Sequence, residues 1–392
     1  MDRRIVVTGY GAICALGDNK IDIKKSFFEA KNNMKYISSI KDYGELNHVK
    51  VGLTLLQNYP VVTPEDMDKS ERLARVAINE ALTDAGITKD YFDELGGRIS
   101  LSISTSIMGS DYILKFIEEN REDAKWLVQS KAFACRLVRE FKIHGGCYTT
   151  SSACASGTAG LGIAYDLIKE NKADIVLTGG TDHISDISIY GFKALDTLSE
   201  DICKPFDKTR DGINVGEGSA FFIIEEYGHA ISRNAKIYGE VLGYGLANDA
   251  YHITSPDPTG NGAYHSMKMA LNEAKIESGS KIYINAHGTG TQANDAMELN
   301  AIKNLFDENQ IYMSSTKSLT GHCLGAAGSI EMALALMVLN DGRAPRTFNS
   351  KFDMEGINNI SDDIPESVKI NTILSNSFAF GGNDATVIVG RI

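Results

Sequence analysis

Three short stretches of the chain each place one potentially reactive side chain among glycine, serine and threonine residues. They are Cys154 within residues 149–158, His287 within residues 285–291 and His322 within residues 315–322. A thiol can act as a nucleophile, and a helix N-terminus can lower its pKa because unpaired N–H groups stabilise the thiolate. Two neutral imidazoles aimed at one point can donate hydrogen bonds to an oxygen that becomes negative. Together the three side chains indicate an acyl-transfer site.

The surroundings of Cys154 favour a nucleophile over the inert buried residue that a single cysteine usually is. Small residues flank it on both sides, namely Ala153, Ala155, Ser156, Gly157, Ala159, Gly160 and Gly162. They predict a helix that packs very closely against other backbone, with its N-terminus at the thiol. A metal site built from Cys154, His287, His322 and Cys323 is the rival interpretation, but these spacings match no zinc pattern. We therefore predict no metal.

Glu331 is the carboxylate that needs an explanation, because it interrupts a segment that is otherwise apolar on every face, residues 329–339. A buried carboxylate without a partner is costly, so a cation is expected beside it. Lys317 is the candidate, and the pair would order the loop that carries His322. Phe380 follows a predicted strand next to two glycines, where it is either the bulky ring of a loop that can swing or an ordinary core aromatic.

The composition is that of an ordinary globular protein. The chain has 392 residues, 43% of them hydrophobic and 23% charged, with a net charge of −12. The negative charge argues against nucleic-acid binding by the surface as a whole. Six scattered cysteines favour reduced thiols in the cytoplasm over a disulfide framework. We find no run of about 18 apolar residues and no signal-peptide pattern, so neither a membrane span nor export is expected.

β-branched segments alternate with amphipathic or apolar segments, which predicts a layered α/β fold. Predicted strands are residues 4–8, 98–104, 174–177, 219–225, 281–285, 373–375 and 386–389. Predicted helices are residues 64–85, 156–171, 262–274, 295–305 and 329–339.

The sequence also repeats weakly within itself. Residues 154–173 align without gaps on residues 325–344, and residues 70–86 are mirrored by residues 262–276 in the same order. The repetition favours two similar halves, residues 1–230 and residues 231–392. The first would carry the cysteine and the second both histidines, so the reactive groups would meet at the junction, a common location for pockets.

Taken in order along the chain, four motifs resemble those of the elongating β-ketoacyl-[acyl carrier protein] synthases, the condensing-enzyme family. The motifs are Ser-Ala-Cys154-Ala-Ser-Gly, Asn-Ala-His287-Gly-Thr-Gly-Thr, Ser-Thr-Lys317-Ser-Leu-Thr-Gly-His322 and Asn-Ser-Phe-Ala-Phe380-Gly-Gly. Residues 207–218 fit as well, and the resemblance covers the whole chain. It implies the thiolase fold: two pseudo-symmetric α/β halves, each with a five-stranded sheet, in a layered αβαβα arrangement.

The resemblance implies a role for each motif. Cys154 would accept an acyl chain as a thioester, and His287 and His322 would stabilise the enolate formed when malonyl-carrier protein loses its carboxyl group. Further roles follow: backbone N–H groups of Cys154 and Phe380 for the oxyanion hole, Phe380 for a gate, Thr289 and Thr291 for the phosphopantetheine arm, Lys317 and Glu331 for a supporting pair, and Ile107 for the acyl pocket. The substrates would travel on the phosphopantetheine of the carrier protein, so no resident cofactor is expected.

Some residues depart from the family's pattern. Asp384 stands where an asparagine is usual and Gly290 where a serine is usual. The segment 198–205 is shorter than in the housekeeping enzymes, and residues 198–214 resemble the same stretch of synthases of bacterial aryl polyene pathways. One alternative function is a non-catalytic partner subunit like the chain-length factors, although these normally lose the nucleophile. Another is a thiolase or initiating synthase that acts on coenzyme A thioesters, although an initiating synthase carries asparagine in place of His322.

The resemblance also implies partners. Carrier proteins are acidic, so a basic patch near the tunnel mouth is expected to steer association despite the negative total charge. The candidates are Lys69, Arg72, Lys204, Lys208 and Arg210. A homodimer is expected from the family, and a heterodimer with a related subunit is the alternative.

Overall fold

Ten strands form one continuous mixed sheet through the molecule. The computed structural model describes residues 3–54, 68–118, 128–276, 281–307, 311–351 and 370–392. Its strands are β1 (Ile5–Cys14), β2 (Lys35–Tyr36), β3 (Lys50–Val51), β4 (Ile99–Ser104), β5 (Cys147–Thr150), β6 (Ile175–Asp182), β7 (Gly218–Glu226), β8 (Gly239–Asn248), β9 (Ile282–Asn285), β10 (Ile311–Ser314), β11 (Thr372–Ala379) and β12 (Asn383–Gly390). The order across the sheet is β10-β9-β11-β12-β8-β1-β7-β6-β4-β5, and β2 pairs with β3.

The large sheet consists of two five-stranded parts with the same topology. When the strands of each part are numbered along the chain, both parts have the order 3-2-4-5-1. In each part the second, third and fourth strands are parallel, and the fifth is antiparallel to both neighbours. β1 and β8 join the two parts through the pairs Val6–Glu240 and Val7–Gly239. The repetition seen in the sequence is therefore a repetition of topology. The division at residue 230, which falls in a short helix after β7, stays a prediction.

The helices form three layers around the two halves of the sheet. They are α1 (Lys20–Phe28), α2 (Lys69–Ala85), α3 (Lys89–Leu95), α4 (Ser110–Glu118), α5 (Ser130–Phe141), α6 (Ser156–Lys169), α7 (Asp186–Ala194), α8 (Tyr227–Ser232), α9 (Asn261–Ala274), α10 (Gln292–Lys303), α11 (Lys317–Thr320) and α12 (Ala327–Asp341). One buried cluster joins α6 and α12 between the two sheet halves, a second joins α2, α3 and α5 to β4, β6 and β7, and a third joins α9 and α10 to β9–β12. The predicted αβαβα layering is confirmed.

The central helices α6 and α12 touch through a pair of glycines at equivalent positions. A Cβ on Gly157 would lie 2.7 Å from the backbone nitrogen of Ser329, and a Cβ on Gly328 would lie 2.8 Å from that of Thr158. Such distances leave no room for a side chain. Gly157 and Gly328, which occupy equivalent positions in the repeated segment, therefore allow the two helices to cross at backbone contact.

Helix α12 is apolar on every face because it lies at the centre of the molecule. All its residues from Ala327 to Leu339 are buried. Residues 324–341 are long and apolar enough to cross a membrane, which corrects the expectation that the chain has no such segment. Most of this segment is buried inside the molecule, which is what a core helix of this composition requires.

Candidate active site

Cys154 lies in the connection between β5 and α6, at the start of the central helix. Ala153 before it has a left-handed φ of 46°, a conformation that disfavours any side chain. The hydroxyls of Ser106 and Ser156 hold this turn by donating to the Ala153 carbonyl at 2.9 and 2.6 Å. The turn therefore fixes the thiol in place, and only 8% of Cys154 is exposed.

The thiol of Cys154 is not ionised in the resting site. Burial raises its pKa to about 12, and the nearby Lys317 ammonium offsets only part of this effect. The sequence predicted a lowered pKa from the helix N-terminus, and burial gives the opposite direction in the resting site. Removing the sulfur from water costs more than the Lys317 ammonium returns. The sulfur can become a nucleophile only as its proton leaves.

The two histidine rings lie edge to face and line the same cavity. His287 follows β9 and His322 lies between α11 and α12, and their ring centroids are 5.4 Å apart with the planes at 85°. The segment of His322 is held by the His322 N–H, which donates to Asn214 at 2.7 Å, and by the His322 carbonyl, which accepts from Gly216 at 2.9 Å. The second half of the chain thus carries both rings, and backbone of the first half holds the segment of His322 in place.

The hydrogen bonds of the two rings define their tautomers. Nδ1 of His287 lies 3.2 Å from the Lys317 ammonium, which can only donate. Nδ1 of His322 accepts from the backbone N–H of Leu324 at 3.1 Å. Each Nδ1 is therefore an acceptor, and each ring carries its proton on Nε2. The site holds two neutral imidazoles whose remaining N–H groups are available to a ligand.

The surroundings keep both rings neutral. Burial, followed by the Lys317 ammonium and by His322, lowers the pKa of His287 well below its usual value. Burial and Lys317 lower the pKa of His322 to about 3. Neither ring is charged at neutral pH, so both act as hydrogen-bond donors and not as cations.

Lys317 and Glu331 form a buried ion pair beneath His287. The Lys317 ammonium lies 2.5 Å from Glu331 Oε1 and 2.5 Å from the carbonyl oxygen of His287, and both side chains are at most 2% exposed. The predicted pair is present, and its ammonium also contacts His287. Because Lys317 belongs to residues 315–322, the pair links the segment of His322 to α12, and its role in ordering that loop stays a prediction. Burial raises the pKa of Glu331, and Lys317 opposes that rise.

Glu298, a residue that the sequence motifs did not single out, anchors the loop of His287. Glu298 on α10 is fully buried and accepts the backbone N–H groups of His287 and Gly288 at 2.9 and 2.8 Å. It also accepts from the Asn376 amide on β11 at 3.1 Å. The available signal was the pair Asp295 and Glu298, two acids three residues apart on the helix that follows the histidine loop.

Two cavities meet at Cys154. The first has a volume of about 220 Å³, and its lining includes Cys154, His287, His322, Thr289 and Thr291. The second has a volume of about 250 Å³ and an almost entirely apolar lining, which includes Ile107 as predicted for the acyl pocket. Both cavities are lined by Cys154, Phe192, Leu195 and Phe380. The ring centroids of Phe192 and Phe380 are 6.0 Å apart, so these two rings stand between the two spaces.

The threonine loop is supported by Arg210, which is a correction to the docking prediction. Arg210 is only 8% exposed, and its guanidinium donates to the carbonyls of Thr291, Gln292 and Asp207 at 3.2, 3.0 and 3.1 Å. A buried guanidinium cannot be part of a surface patch. Instead, it fixes the backbone beside Thr289 and Thr291, whose hydroxyls are 3.0 Å apart.

Gly290 fits this tight loop for a steric reason. Its φ is 82°, and a Cβ there would lie 2.7 Å from the carbonyl oxygen of Gly212. The serine that is usual in the family would be strained in this conformation.

The other predicted docking residues differ in exposure and in whether their charge is already paired. Lys69 is wrong as a docking residue, because its ammonium lies 2.6 Å from the fully buried carboxylate of Glu217 and is neutralised there. Arg72 and Lys204 are half-buried and Lys208 is exposed. Lys204 lines a different groove, and no lysine or arginine lines the first cavity within the described residues. Arg72, Lys204 and Lys208 stay predictions.

Within the described ranges, no group of three or more histidine, cysteine, aspartate or glutamate residues could hold a metal ion.

Comparison with known families gives two matches that cover most of the chain. Residues 2–230 match the model of the N-terminal domain of β-ketoacyl synthases, and residues 238–351 match the model of the C-terminal domain. Among curated relatives, 3-oxoacyl-[acyl-carrier-protein] synthase 2 of Coxiella burnetii is 32% identical, covering 100% of this chain and 99% of the relative. Nodulation protein E of Rhizobium meliloti is also 32% identical, over the full length of both chains.

Solved structures resemble this fold over its full length. A β-ketoacyl synthase from Burkholderia phymatum superposes with a TM-score of 0.89 at 28% identity, covering 100% of both chains. A ketosynthase in complex with its chain length factor from Xenorhabdus doucetiae superposes with a TM-score of 0.85 at 28% identity, covering 100% of this chain and 98% of the other.

Proposed function

Because the chain belongs to the β-ketoacyl synthase family, we propose that it condenses an acyl thioester on Cys154 with malonyl-[acyl carrier protein]. The products are 3-oxoacyl-[acyl carrier protein] and carbon dioxide, which makes the protein an acyltransferase of fatty acid or polyene biosynthesis. One observation carries this proposal. Cys154 and two neutral imidazoles, each with its proton on Nε2, line one cavity.

In the first step the acyl group moves from the carrier protein to Cys154. The sulfur attacks the thioester carbonyl, the bond from that carbon to the pantetheine sulfur breaks, and the thiol proton ends on the departing pantetheine thiol. No net proton is consumed. The raised pKa of Cys154 means that the proton must leave as the carbon–sulfur bond forms. The apolar second cavity, with Ile107 in its wall, would receive the acyl chain.

In the second step the malonyl group loses carbon dioxide, and its thioester oxygen becomes an enolate oxygen. The Nε2–H groups of His287 and His322 would donate to that oxygen, which a low-dielectric site makes far more effective than water would. The enolate carbon then attacks the acyl group on Cys154 and releases the thiolate. Its high pKa ensures that the thiolate takes up one proton, which closes the cycle.

The remaining site residues have supporting roles in this proposal. Lys317 and Glu331 would hold His287 as a donor, because the ammonium occupies its Nδ1. Thr289 and Thr291 would bind the pantetheine arm in the first cavity. Phe380 would gate the two steps, since it lines both cavities, and its N–H with that of Cys154 would form the oxyanion hole. The protein would need no resident cofactor.

We also propose that the protein binds acyl carrier protein in the cytoplasm and works as a dimer. Solved relatives include a type II polyketide carrier protein in complex with its ketosynthase, as well as a ketosynthase with its chain length factor. Strand β5 supports a dimer, because it ends the sheet and leaves one edge open within the described residues. Tyr148 on β5 is 38% exposed. A homodimer is our first expectation and a heterodimer the alternative.

The proposal is tested by incubating the pure protein with acyl-carrier protein and locating the acyl group by peptide mass spectrometry. We expect a thioester on Cys154, none in Cys154→Ala, and formation of 3-oxoacyl-carrier protein when malonyl-carrier protein is added. A wild-type protein that carries no acyl group would instead support a non-catalytic partner subunit. Efficient turnover of acyl-coenzyme A without carrier protein would support an initiating synthase or thiolase.

A further inference from the structure

Asp182, the last residue of β6, is a fully buried carboxylate to which the proposed reaction assigns no role. Its Oδ1 accepts hydrogen bonds from the Thr105 hydroxyl at 2.5 Å and from the backbone N–H of Ile107 at 3.1 Å. Its Oδ2 accepts from the backbone N–H groups of Ser106 and Gly325 at 2.8 and 2.7 Å. Four donors from two different segments therefore meet on one carboxylate.

The first of these segments, residues 105–107, links the acyl pocket to the nucleophile. Ile107 lines the apolar second cavity, and the Ser106 hydroxyl donates to the carbonyl of Ala153 at 2.9 Å. Ala153 is the left-handed residue directly before Cys154. The buried carboxylate thus holds the loop that supports the turn of the nucleophile.

The second segment is the turn that follows His322. Leu324 in this turn has a left-handed φ of 54°, which costs free energy in a residue with a side chain. The N–H of Leu324 donates to Nδ1 of His322 at 3.1 Å and so keeps the ring proton on Nε2. The N–H of Gly325, which belongs to the peptide unit after Leu324, is the group that Asp182 binds. The carboxylate therefore fixes the strained residue whose own N–H sets the tautomer of His322.

The two turns occupy equivalent positions in the two halves of the molecule. When the ungapped alignment of the halves is extended by one residue, Leu324 falls opposite Ala153, and both residues are left-handed. The two supporting segments are also in contact, since a Cβ on Gly325 would lie 2.6 Å from the backbone nitrogen of Ser106. A strained residue other than glycine persists only where its surroundings hold it. Asp182 holds one turn directly and the other through the serine.

The charge of Asp182 does not itself assist the nucleophile. Burial raises the pKa of Asp182 to about 6, and its four hydrogen bonds oppose that rise, so the group is ionised at neutral pH. The negative charge adds to the effect of burial in raising the pKa of Cys154. Because the carboxylate disfavours the thiolate, its benefit lies in the positions that it fixes.

We propose that Asp182 is a positioning residue that fixes Cys154 and His322 relative to each other by holding the turn beside each of them. The consequence for catalysis rests on the proposed function, in which Cys154 carries the acyl group and His322 donates to the enolate. An asparagine of the same shape cannot replace the carboxylate, because only one end of an amide accepts hydrogen bonds and because a charged acceptor binds N–H groups more strongly.

NMR of protein that contains isotope-labelled histidine tests this proposal without relying on catalysis, because the ring nitrogen shifts report the tautomer. The signals of His322 would be assigned with His322→Asn. In Asp182→Asn the ratio of its Nδ1–H to its Nε2–H tautomer should rise by about fivefold or more, since the Leu324 N–H is no longer held at Nδ1. His287 is the internal control, because Lys317 still donates to its Nδ1 and its tautomer should not change.

Two further variants make the tautomer measurement specific. Glu80→Gln is the matched control, because the Glu80 carboxylate also accepts two backbone N–H groups, those of Ala12 and Lys20, in elements that carry no site residue. This variant should leave both tautomers unchanged. Thr105→Val removes one donor and keeps the carboxylate, so it should give a smaller change in the same direction. It tests the proposal even where Asp182→Asn does not fold.

The two segments held by the carboxylate predict separate losses in the partial reactions. Ser106→Ala removes the hydroxyl that holds Ala153 and keeps the backbone N–H at the carboxylate. It should slow acylation of Cys154 severalfold and leave the tautomer of His322 unchanged. Asp182→Asn should slow acylation as well, and in the Cys154→Ala background it should slow the release of carbon dioxide about tenfold.

The outcomes separate this proposal from the proposed function. A tautomer ratio of His322 that is the same in Asp182→Asn as in the wild type would overturn the proposal even in an active enzyme. An equal change of that ratio in Ser106→Ala or in Glu80→Gln would also overturn it, because the carboxylate would then have no specific effect. A changed ratio in a protein whose wild type forms no thioester and does not condense would overturn the proposed function alone.

Discussion

The two halves of the molecule share a topology but contribute different chemistry. In the first half, the connection after the third strand leads through Cys154 into α6. In the second half, the connection after the third strand leads through His322 into α12, and the loop after β9 adds His287. The ungapped alignment of residues 154–173 with 325–344 matches the structure, because α6 and α12 begin at equivalent positions, Ser156 and Ala327.

The halves also differ in how they hold their reactive groups. The first half fixes one thiol on a strained turn between two cavities, where substrates must reach it. The second half buries its two imidazoles, an ion pair and Glu298 in a network of hydrogen bonds that fixes both tautomers. We infer that the first half carries the acyl group and the second half stabilises charge. The predictions below test this division.

The largest effect should come from breaking the ion pair of the second half. Lys317→Met leaves the buried carboxylate of Glu331 without a cation, which should cost about 3–5 kcal/mol of unfolding free energy in urea titrations. The double variant Lys317→Met with Glu331→Leu should recover most of that stability, because an apolar pair of similar size avoids the desolvation cost. It should not recover kcat, since Nδ1 of His287 is then free to change tautomer. Recovery of activity in the double variant would show that the pair is only structural.

A smaller effect is expected where the halves touch. Gly157→Ala and Gly328→Ala each place a methyl group against backbone of the opposite helix, which should destabilise the protein by about 1–3 kcal/mol. Gly191→Ala on α7 is the matched control, because its added Cβ meets no atom within 4 Å. That variant should be as stable as the wild type or slightly more stable. Equal destabilisation by all three variants would mean that the helix crossing does not join the halves as described.

The smallest effect concerns Arg210, which links the two halves at the threonine loop. Arg210→Lys retains the charge but cannot donate to three carbonyls in the same geometry. Loss of one of these hydrogen bonds, worth about 1 kcal/mol, should raise KM for carrier-bound substrate roughly fivefold while kcat changes little. This increase should persist at high salt. If the increase in KM disappears at high salt, Arg210 acts as a surface charge that attracts carrier protein, which would contradict this assignment.

The sequence predicted the site better than it predicted the elements around it. Cys154, His287 and His322 could be recognised because each stands in a distinctive Gly/Ser/Thr-rich loop. Strand β8 was missed because Gly243 and Gly245 interrupt its apolar pattern. The structure explains these glycines, since a Cβ on Gly243 would lie 2.7 Å from the Ala274 nitrogen on α9 and one on Gly245 would meet the Ser266 carbonyl oxygen. The alternation of apolar side chains therefore cannot reveal this strand, because glycines occupy the positions that pack against a helix.

The pKa values and ion pairs of the site residues were harder to predict than which residues form the site. The small residues around Cys154 predict a closely packed helix, but the effect of that burial on the pKa of Cys154 and the position of Lys317 near the sulfur depend on distant segments. Arg210 and Lys69 were assigned to a basic surface because residue type alone does not reveal a buried partner. Arg210 donates a hydrogen bond to the carbonyl of Thr291, and Lys69 pairs with the carboxylate of Glu217; both partners lie far away along the chain.

The division of labour between the halves is tested most directly by measuring acylation and decarboxylation separately in matched variants. Cys154→Ala should carry no acyl group yet still release carbon dioxide from malonyl-carrier protein. The double variant His287→Ala with His322→Ala should still form the thioester on Cys154, and it should release carbon dioxide at least about 100-fold more slowly than Cys154→Ala. A histidine double variant that decarboxylates as fast as Cys154→Ala would contradict the account.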